Sequence, residues 1–284
     1  MRWEAHKDGW PMAAFSQFIT ARPHKWHVQR DGSGPKVLLI HGAGGSTHSW
    51  RHIFPALARD FDVLAVDLPG QGFSTLGNKS RCGLGHMSQD LWHMLDSIDF
   101  VPSAIIGHSA GAAIMLRMAL DQEALEPARL LAINGALGNF RGIAGFLFPA
   151  MAKLLALNPL TAPLFAMSAA SPERVKGLLT STGSEIDAEG LAQYSALISD
   201  RTHVDATLTM MSQWKLDALL RDLPRIENQV LLLAGEADKA VPFDTSLDAA
   251  NRLPNGKAVV LPHLGHLMHE EDAALCLEHL IPAL

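Results

Sequence analysis

The sequence predicts an α/β fold: a mostly parallel central sheet, helices on both faces, and an all-helical segment inserted between two late strands. Three observations carry that expectation. Short runs rich in Val, Ile and Leu alternate with longer stretches of helical periodicity, which is how parallel strands buried on both faces read. From about Gly138 to Asp222 the strands stop and only helical apolar segments remain. Finally, Ile105-Ile106-Gly107-His108-Ser109-Ala110-Gly111 leads a β-branched run into a helix through a Gly-x-Ser-x-Gly turn. Such a turn strains the serine backbone and pushes the hydroxyl out of the C-terminal edge of the sheet.

Taken in order, residues 1–22 carry Trp3, Trp10, Phe15 and Phe18, apolar enough to form an extension packed on the core. Lys25 to Gln29 alternates, Asp31-Gly32-Ser33-Gly34-Pro35 is a turn signal, and Lys36 to Ile40 is a buried strand. His41-Gly42-Ala43-Gly44-Gly45 comes directly off it, and Ser49 to Phe61 has helical spacing. Val63 to Val66 is the next strand, closed by Asp67-Leu68-Pro69-Gly70-Gln71-Gly72-Phe73-Ser74. A helix from about Met87 to Ile98 precedes the strand Ala104 to Ile106, and a helical run from Ala112 to Leu120 follows Ser109. Leu130 to Ile133, Val230 to Leu233 and Ala258 to Leu261 complete the strands, with helices at about Phe243 to Leu253 and Glu270 to Leu280. The inserted segment reads as helices over Phe146–Leu157, Glu173–Leu179, Glu189–Ile198 and Ala206–Leu220. The expected organisation is an extension at 1–22, a core at 23–137 and 223–284, and a helical lid at 138–222.

Bulk properties narrow the function. With 48% hydrophobic and 18% charged residues the chain reads as an ordinary globular enzyme, long enough for a sizeable core. A net charge of −6 without a Lys/Arg cluster argues against nucleic acid, because phosphate binding needs a basic patch. Two distant cysteines supply neither a disulfide framework nor a zinc ligand set. The N-terminus lacks the apolar stretch of a signal peptide, and Pro149 and Lys153 break the longest apolar run, so no transmembrane segment and a cytoplasmic setting are expected.

A serine hydroxyl is a weak nucleophile near neutral pH and needs a base, which in turn needs an orienting group. Asp238 lies five residues beyond one late strand and His266 five beyond the next. Both therefore fall at the sheet edge that carries Ser109, in the chain order such a catalytic triad takes on this kind of scaffold. Glu236 and Asp244 stand as alternative orienting groups. His263, His266 and His269 could be read as metal ligands, but the stretch looks like a loop entering a helix, without a paired carboxylate; no metal and no cofactor are expected. Asp67 precedes the serine and fits better as a tie within its Gly/Pro turn. Oxyanion donors are expected from the Ala110 N–H and the Ala43 N–H, with Gly44 as an alternative to the latter. The glycines around Ala43 are not a phosphate-binding loop, since no Lys-Ser/Thr follows. In the lid, Phe146, Leu147, Phe148 and Met151 open an apolar excess that suits either a lid core or a pocket wall for a large apolar substrate, and Met-rich surfaces adapt to bulky shapes. The pocket residues proposed are His108, Phe146, Met151 and Trp214.

His41-Gly42, Asp67 to Ser74, Gly107 to Gly111, Asp238 and His266 together resemble the α/β-hydrolase superfamily. Within it, Asp8-Gly9-Trp10-Pro11, Gly45 to Trp50, Asn134-Gly135-Ala136-Leu137, Leu154 to Pro159 and Leu264 to Glu271 resemble the BchO family, the magnesium-chelatase accessory proteins of bacteriochlorophyll synthesis. That likeness implies an α/β-hydrolase fold, a setting near Mg²⁺ insertion into protoporphyrin, and magnesium-chelatase subunits as partners. The substrate it implies is a small apolar or tetrapyrrole-like molecule, with peripheral membrane contact as a further option for the apolar lid. Metal insertion needs ATP-driven work, and the missing phosphate-binding loop excludes the motor role. Gly44 stands where many epoxide hydrolases and dehalogenases carry proline, and Ser109 where they carry aspartate, which argues against both activities.

Overall fold

The computed structural model describes residues 1–138 and 171–284. Eight strands form one sheet: β1 (Ser16–Ala21), β2 (His24–Asp31), β3 (Lys36–Ile40), β4 (Asp62–Val66), β5 (Ala104–His108), β6 (Arg129–Ile133), β7 (Val230–Gly235) and β8 (Gly256–Leu261), in the order β1-β2-β4-β3-β5-β6-β7-β8. Strands β3 to β8 run parallel, while β1, β2 and β4 pair antiparallel. The chain first builds outward from β3 to β4 and then crosses to the other side of β3 to place β5. This reversal opens a crevice at the C-terminal ends of β3 and β5, where open α/β sheets bind ligands.

The period-2 geometry of strands sorts the apolar runs onto two faces. Leu38, Ile40, Leu64, Val66, Ile105, Leu130 and Leu232 pack against α2 (Leu84–Asp96) and α3 (Ala110–Asp121). Val37, Leu39, Val63, Ala65, Ile106, Leu131 and Leu233 pack against Trp50, the short α1 (Phe54–Leu57), α9 (Met268–Glu271) and α10 (Ala273–Leu280). Most of these side chains are fully buried, so both faces contribute burial at roughly 25 cal/mol per Å² of apolar surface. α8 (Asp244–Ala250) connects β7 to β8.

Among the described residues between β6 and β7 there are only helices: α4 (Pro172–Ser181), α5 (Ala188–Ser199), α6 (Arg201–Gln213) and α7 (Asp217–Asp222), followed by a 3₁₀ turn at Leu223–Arg225. Asp187 and Asp200 cap α5 and α6 by accepting backbone N–H groups. The helix read over Phe146–Leu157, with Phe146 and Met151, lies outside the described residues. A third apolar cluster joins Trp10 and Phe73 to Val175 and Leu179 of α4, Tyr194 and Leu197 of α5, and Leu267. The N-terminal extension thus packs on the helical insertion as well as the core. Its residues 16–21 differ from the reading above, since they form edge strand β1. Ser16-Gln17-Phe18-Ile19-Thr20-Ala21 is largely exposed and shows no clean alternation, so this edge strand carries only a weak apolar signal. Two helices read as continuous also divide: Ser49–Phe61 becomes a 3₁₀ turn and α1, and Ala206–Leu220 breaks at Trp214 between α6 and α7.

Among the described residues no helix is long and apolar enough to cross a membrane.

Candidate active site

Ser109 stands between β5 and α3 with φ 50° and ψ −114°, a left-handed backbone that costs free energy in an L-residue. Its surroundings hold it there. The Ser109 N–H donates to Ile133 O (3.0 Å), and its carbonyl accepts from the N–H groups of Ala112 (3.1 Å) and Ala136 (3.0 Å). The flanking glycines are required sterically. A Cβ on Gly107 would stand 2.6 Å from Ala112 N, and one on Gly111 would collide with Ile40 O.

His266 faces Ser109 with Nε2 3.1 Å from Oγ, and its Nδ1 lies 2.7 Å from Asp238 Oδ2. The other carboxylate oxygen of Asp238 accepts from the Ala240 (2.7 Å) and Val241 (2.8 Å) N–H groups. Asp238 is an acceptor on both oxygens, so Nδ1 of His266 carries the proton and Nε2 presents a lone pair to the serine hydroxyl. The Asp238 carboxylate is fully buried while the His266 imidazole is 13% exposed, so their bond is shielded and the ring stays accessible on its other side. Glu236 and Asp244, the alternative orienting groups, are exposed.

The His266 backbone is also held. Its carbonyl accepts from Asn134 Nδ2 and His108 Nε2, both at 2.9 Å, and Asn134 Oδ1 accepts from Gly235 N–H (2.7 Å). Asn134, just after β6, therefore joins the loops that bear Asp238 and His266. In the sequence Asn134 stands out only through the Asn134-Gly135-Ala136-Leu137 stretch of the family likeness, which assigns it no role, and its partners lie far along the chain. His108, read as a pocket residue, is 4% exposed, and its ring packs against those of His266 and His269. Burial, and then His269, pushes its pKa well below the ordinary value, so it is neutral and donates through Nε2. Trp214, the other pocket residue, is half-buried against the apolar layer that contains Ala110, Met210 and Leu216. The three histidines spaced by three residues point to different places: His263 is exposed, His266 faces Asp238, and buried His269 pairs through Nε2 with Ser49 Oγ (3.0 Å). Burial takes His269 down to about 3.

Two backbone N–H groups remain available near Ser109. Neither Ala43 N–H nor Ala110 N–H donates to another group among the described residues, whereas Gly44 N–H is taken by Gln71 Oε1 (2.7 Å). Ala43 is exposed and Ala110 begins α3, whose N-terminal dipole favours negative charge. Gly42 abuts the serine, because a Cβ there would lie 3.0 Å from Ser109 Cβ and 2.8 Å from His108 Nδ1. Asp67 ties its own turn to the loop after β3, accepting from Thr47 N–H (2.7 Å), Phe73 N–H (2.8 Å) and His27 Nδ1 (2.7 Å).

The helical insertion reaches this site at two further points. Ser184 Oγ accepts from Leu267 N–H (2.8 Å), next to His266, and Thr182 O accepts from Lys239 N–H (3.0 Å), next to Asp238. Behind the base, buried Glu270 accepts from Ser49 Oγ (2.5 Å) and Tyr194 OH (2.8 Å) and pairs with Arg51, which also bonds Asp187 (2.8 Å). Burial raises Glu270 above the usual carboxylate range against the opposing pull of Arg51. A charge pair this deep is costly to break on one side.

A family profile described as alpha/beta hydrolase fold matches residues 35–273. Over 266 residues the chain is 44% identical to the magnesium-chelatase 30 kDa subunit of Rhodobacter capsulatus, covering 93% of this chain and 92% of that protein. It is 27% identical over 267 residues to RutD, a candidate carbamate hydrolase of Pseudomonas syringae pv. syringae (strain B728a), covering 88% of this chain and 93% of that one. Among solved structures, the Cif epoxide hydrolase from Acinetobacter nosocomialis aligns with a TM-score of 0.79 at 19% identity, over 99% of this chain and 94% of the other. At that identity the likeness carries the fold alone.

Proposed function

The chain belongs to the α/β-hydrolase family, and from that premise we propose that it is a serine hydrolase of a bulky, apolar ester-like substrate, serving bacteriochlorophyll synthesis beside magnesium chelatase. The observation that carries the chemistry is the relay from Asp238 through His266 to Ser109 beside two uncommitted N–H donors. In this reading Ser109 Oγ attacks the carbonyl carbon as its proton passes to His266 Nε2. The carbonyl oxygen, now negative, is held by the N–H groups of Ala43 and Ala110. The tetrahedral centre collapses, His266 returns the proton to the leaving alkoxide, and an acyl-Ser109 remains. Water then repeats the sequence with His266 as base, releasing the carboxylic acid and the serine. Each oxyanion donor contributes about 3 kcal/mol of transition-state stabilisation.

Likeness to a magnesium-chelatase subunit supports a second reading, in which the fold is a non-catalytic module binding a tetrapyrrole or a chelatase subunit. The two separate in a photosynthetic host lacking its own copy of this gene. Under the catalytic reading Ser109→Ala leaves pigment as low as no gene at all, although the variant accumulates normally. Wild-type pigment with Ser109→Ala would establish the accessory reading instead.

A further inference from the structure

One face of α6, formed by His203, Ala206, Thr207 and Met210, lies on the two loops that flank Ser109 on the oxyanion side. A Cβ on Gly70 would meet Ala206 Cβ at 2.5 Å, and one on Gly44 would stand 3.5 Å from Thr207 Cγ2. His203 is buried between these loops: Nδ1 accepts from Gly72 N–H (3.0 Å) and Nε2 donates to Gly44 O (3.2 Å). Burial, with His41 adding to it, brings its pKa down to about 4, which keeps the ring neutral with one donor and one acceptor.

The orientation of the Ala43 N–H follows from the peptides around it. The Gly42 carbonyl accepts from Gly45 N–H (3.1 Å) and His41 Nδ1 (2.7 Å). In a trans peptide the N–H points opposite the carbonyl, so the Ala43 N–H is turned away from the interior of the loop. The Gly45 N–H that helps to hold this turn belongs to the Gly44–Gly45 peptide, so the turn depends in part on where Gly44 sits. Gly44 has φ +81° and no side chain, so its backbone has unusually wide freedom. Both of its peptide groups are gripped: the N–H by Gln71, whose Nε2 rests on Met210 Sδ (3.2 Å), and the carbonyl by His203.

We propose that His203 is a positioning residue for the oxyanion site: from the helix inserted between β6 and β7, it holds the Gly44 peptide and so aims the Ala43 N–H. Helix α6 of the inserted segment is then part of the catalytic scaffold. The inference rests on the reading of Ser109 as nucleophile.

The test compares wild type, His203→Leu, which removes both hydrogen bonds, and His203→Gln, which retains a donor and an acceptor. Hydrolysis of p-nitrophenyl butyrate is measured with thermal melts on the same samples. His203→Leu should lower kcat about 10- to 100-fold, less than the 10²–10³ that loss of a donor itself costs. KM should stay within about twofold, and His203→Gln should recover most of the rate. A kcat within twofold of wild type, or a loss expressed in KM alone, overturns the proposal. Amide exchange at Gly44 and Gly72 provides a readout independent of turnover. It should accelerate in His203→Leu and return in His203→Gln, and unchanged exchange overturns the positioning role. A wild type that forms no fluorophosphonate adduct at Ser109, with exchange responding as stated, would defeat the reading of Ser109 and leave the loop contact intact.

Discussion

At Asp238 the two carboxylate oxygens have separate tasks. Oδ1 anchors the side chain on the N–H groups of Ala240 and Val241, while Oδ2 orients His266. An asparagine could keep the first task through its carbonyl, but it would turn an NH₂ toward His266 Nδ1. The imidazole would then adopt the opposite tautomer and present N–H, not a lone pair, to Ser109. Asp238→Asn should therefore fold like wild type, melt within a few degrees of it, and lose about 10⁴ in kcat. Steady-state hydrolysis of p-nitrophenyl butyrate reads this directly, and a loss below about tenfold would show that Asp238 does not set the tautomer. The position of Asp238 and His266 in the sequence could be read because each follows a strand whose C-terminal end is common to Ser109. Asp238 was the acid chosen on its place after the strand, with Glu236 and Asp244 as alternatives in the same polar loop or at its exit; what the sequence could not show is that Asp238 turns inward onto His266 while the other two stay exposed. Asn134, Ser184 and His203 were not legible for the same reason: their partners are 131, 83 and 131 residues away.

Among elements, the turn from β5 into α3 works because α3 crosses very close to the end of β3. A Cβ on Gly111 would collide with Ile40 O and lie 2.7 Å from His41 O, both backbone atoms that cannot swing aside. Gly111→Ala should destabilise the protein by about 1–3 kcal/mol or more, as over-packing does. Gly177, on exposed helix α4, has nothing within 4 Å of a built Cβ. Gly177→Ala should stabilise by about 0.5–1 kcal/mol through helix propensity. Urea midpoints of the two variants should shift in opposite directions; the same direction for both would mean that close approach to β3 is not what Gly111 serves. Strands such as β3, β5 and β7 were legible because burial on both faces makes them continuous apolar runs. Edge strand β1 was not, because its polar and apolar residues read equally well as an irregular extension. The break at Trp214 has no signature in glycine or proline, and we have no physical account of it.

For the whole molecule, the switch in strand order at β3 and β5 brings the loop of Gly42 to Gly45 and Ser109 together, and the later strands β7 and β8 deliver Asp238 and His266 to the same edge. The α/β architecture could be derived from periodicity, and the shared edge from the Gly-x-Ser-x-Gly turn with Asp238 and His266 following later strands. How far the helical insertion and N-terminal extension join the site could not, because their contacts run through Ser184, His203, Tyr194 and Trp10 to residues distant in the chain. All of these supports converge on one claim, that Ser109 is an activated nucleophile. Intact-mass analysis after incubation with a fluorophosphonate tests it most directly, because the probe reacts with a serine only where a base and an oxyanion site assist. The account predicts a single adduct that maps to Ser109 and is absent from Ser109→Ala. No adduct on wild-type protein that melts cooperatively, or an adduct that persists in Ser109→Ala, would contradict it.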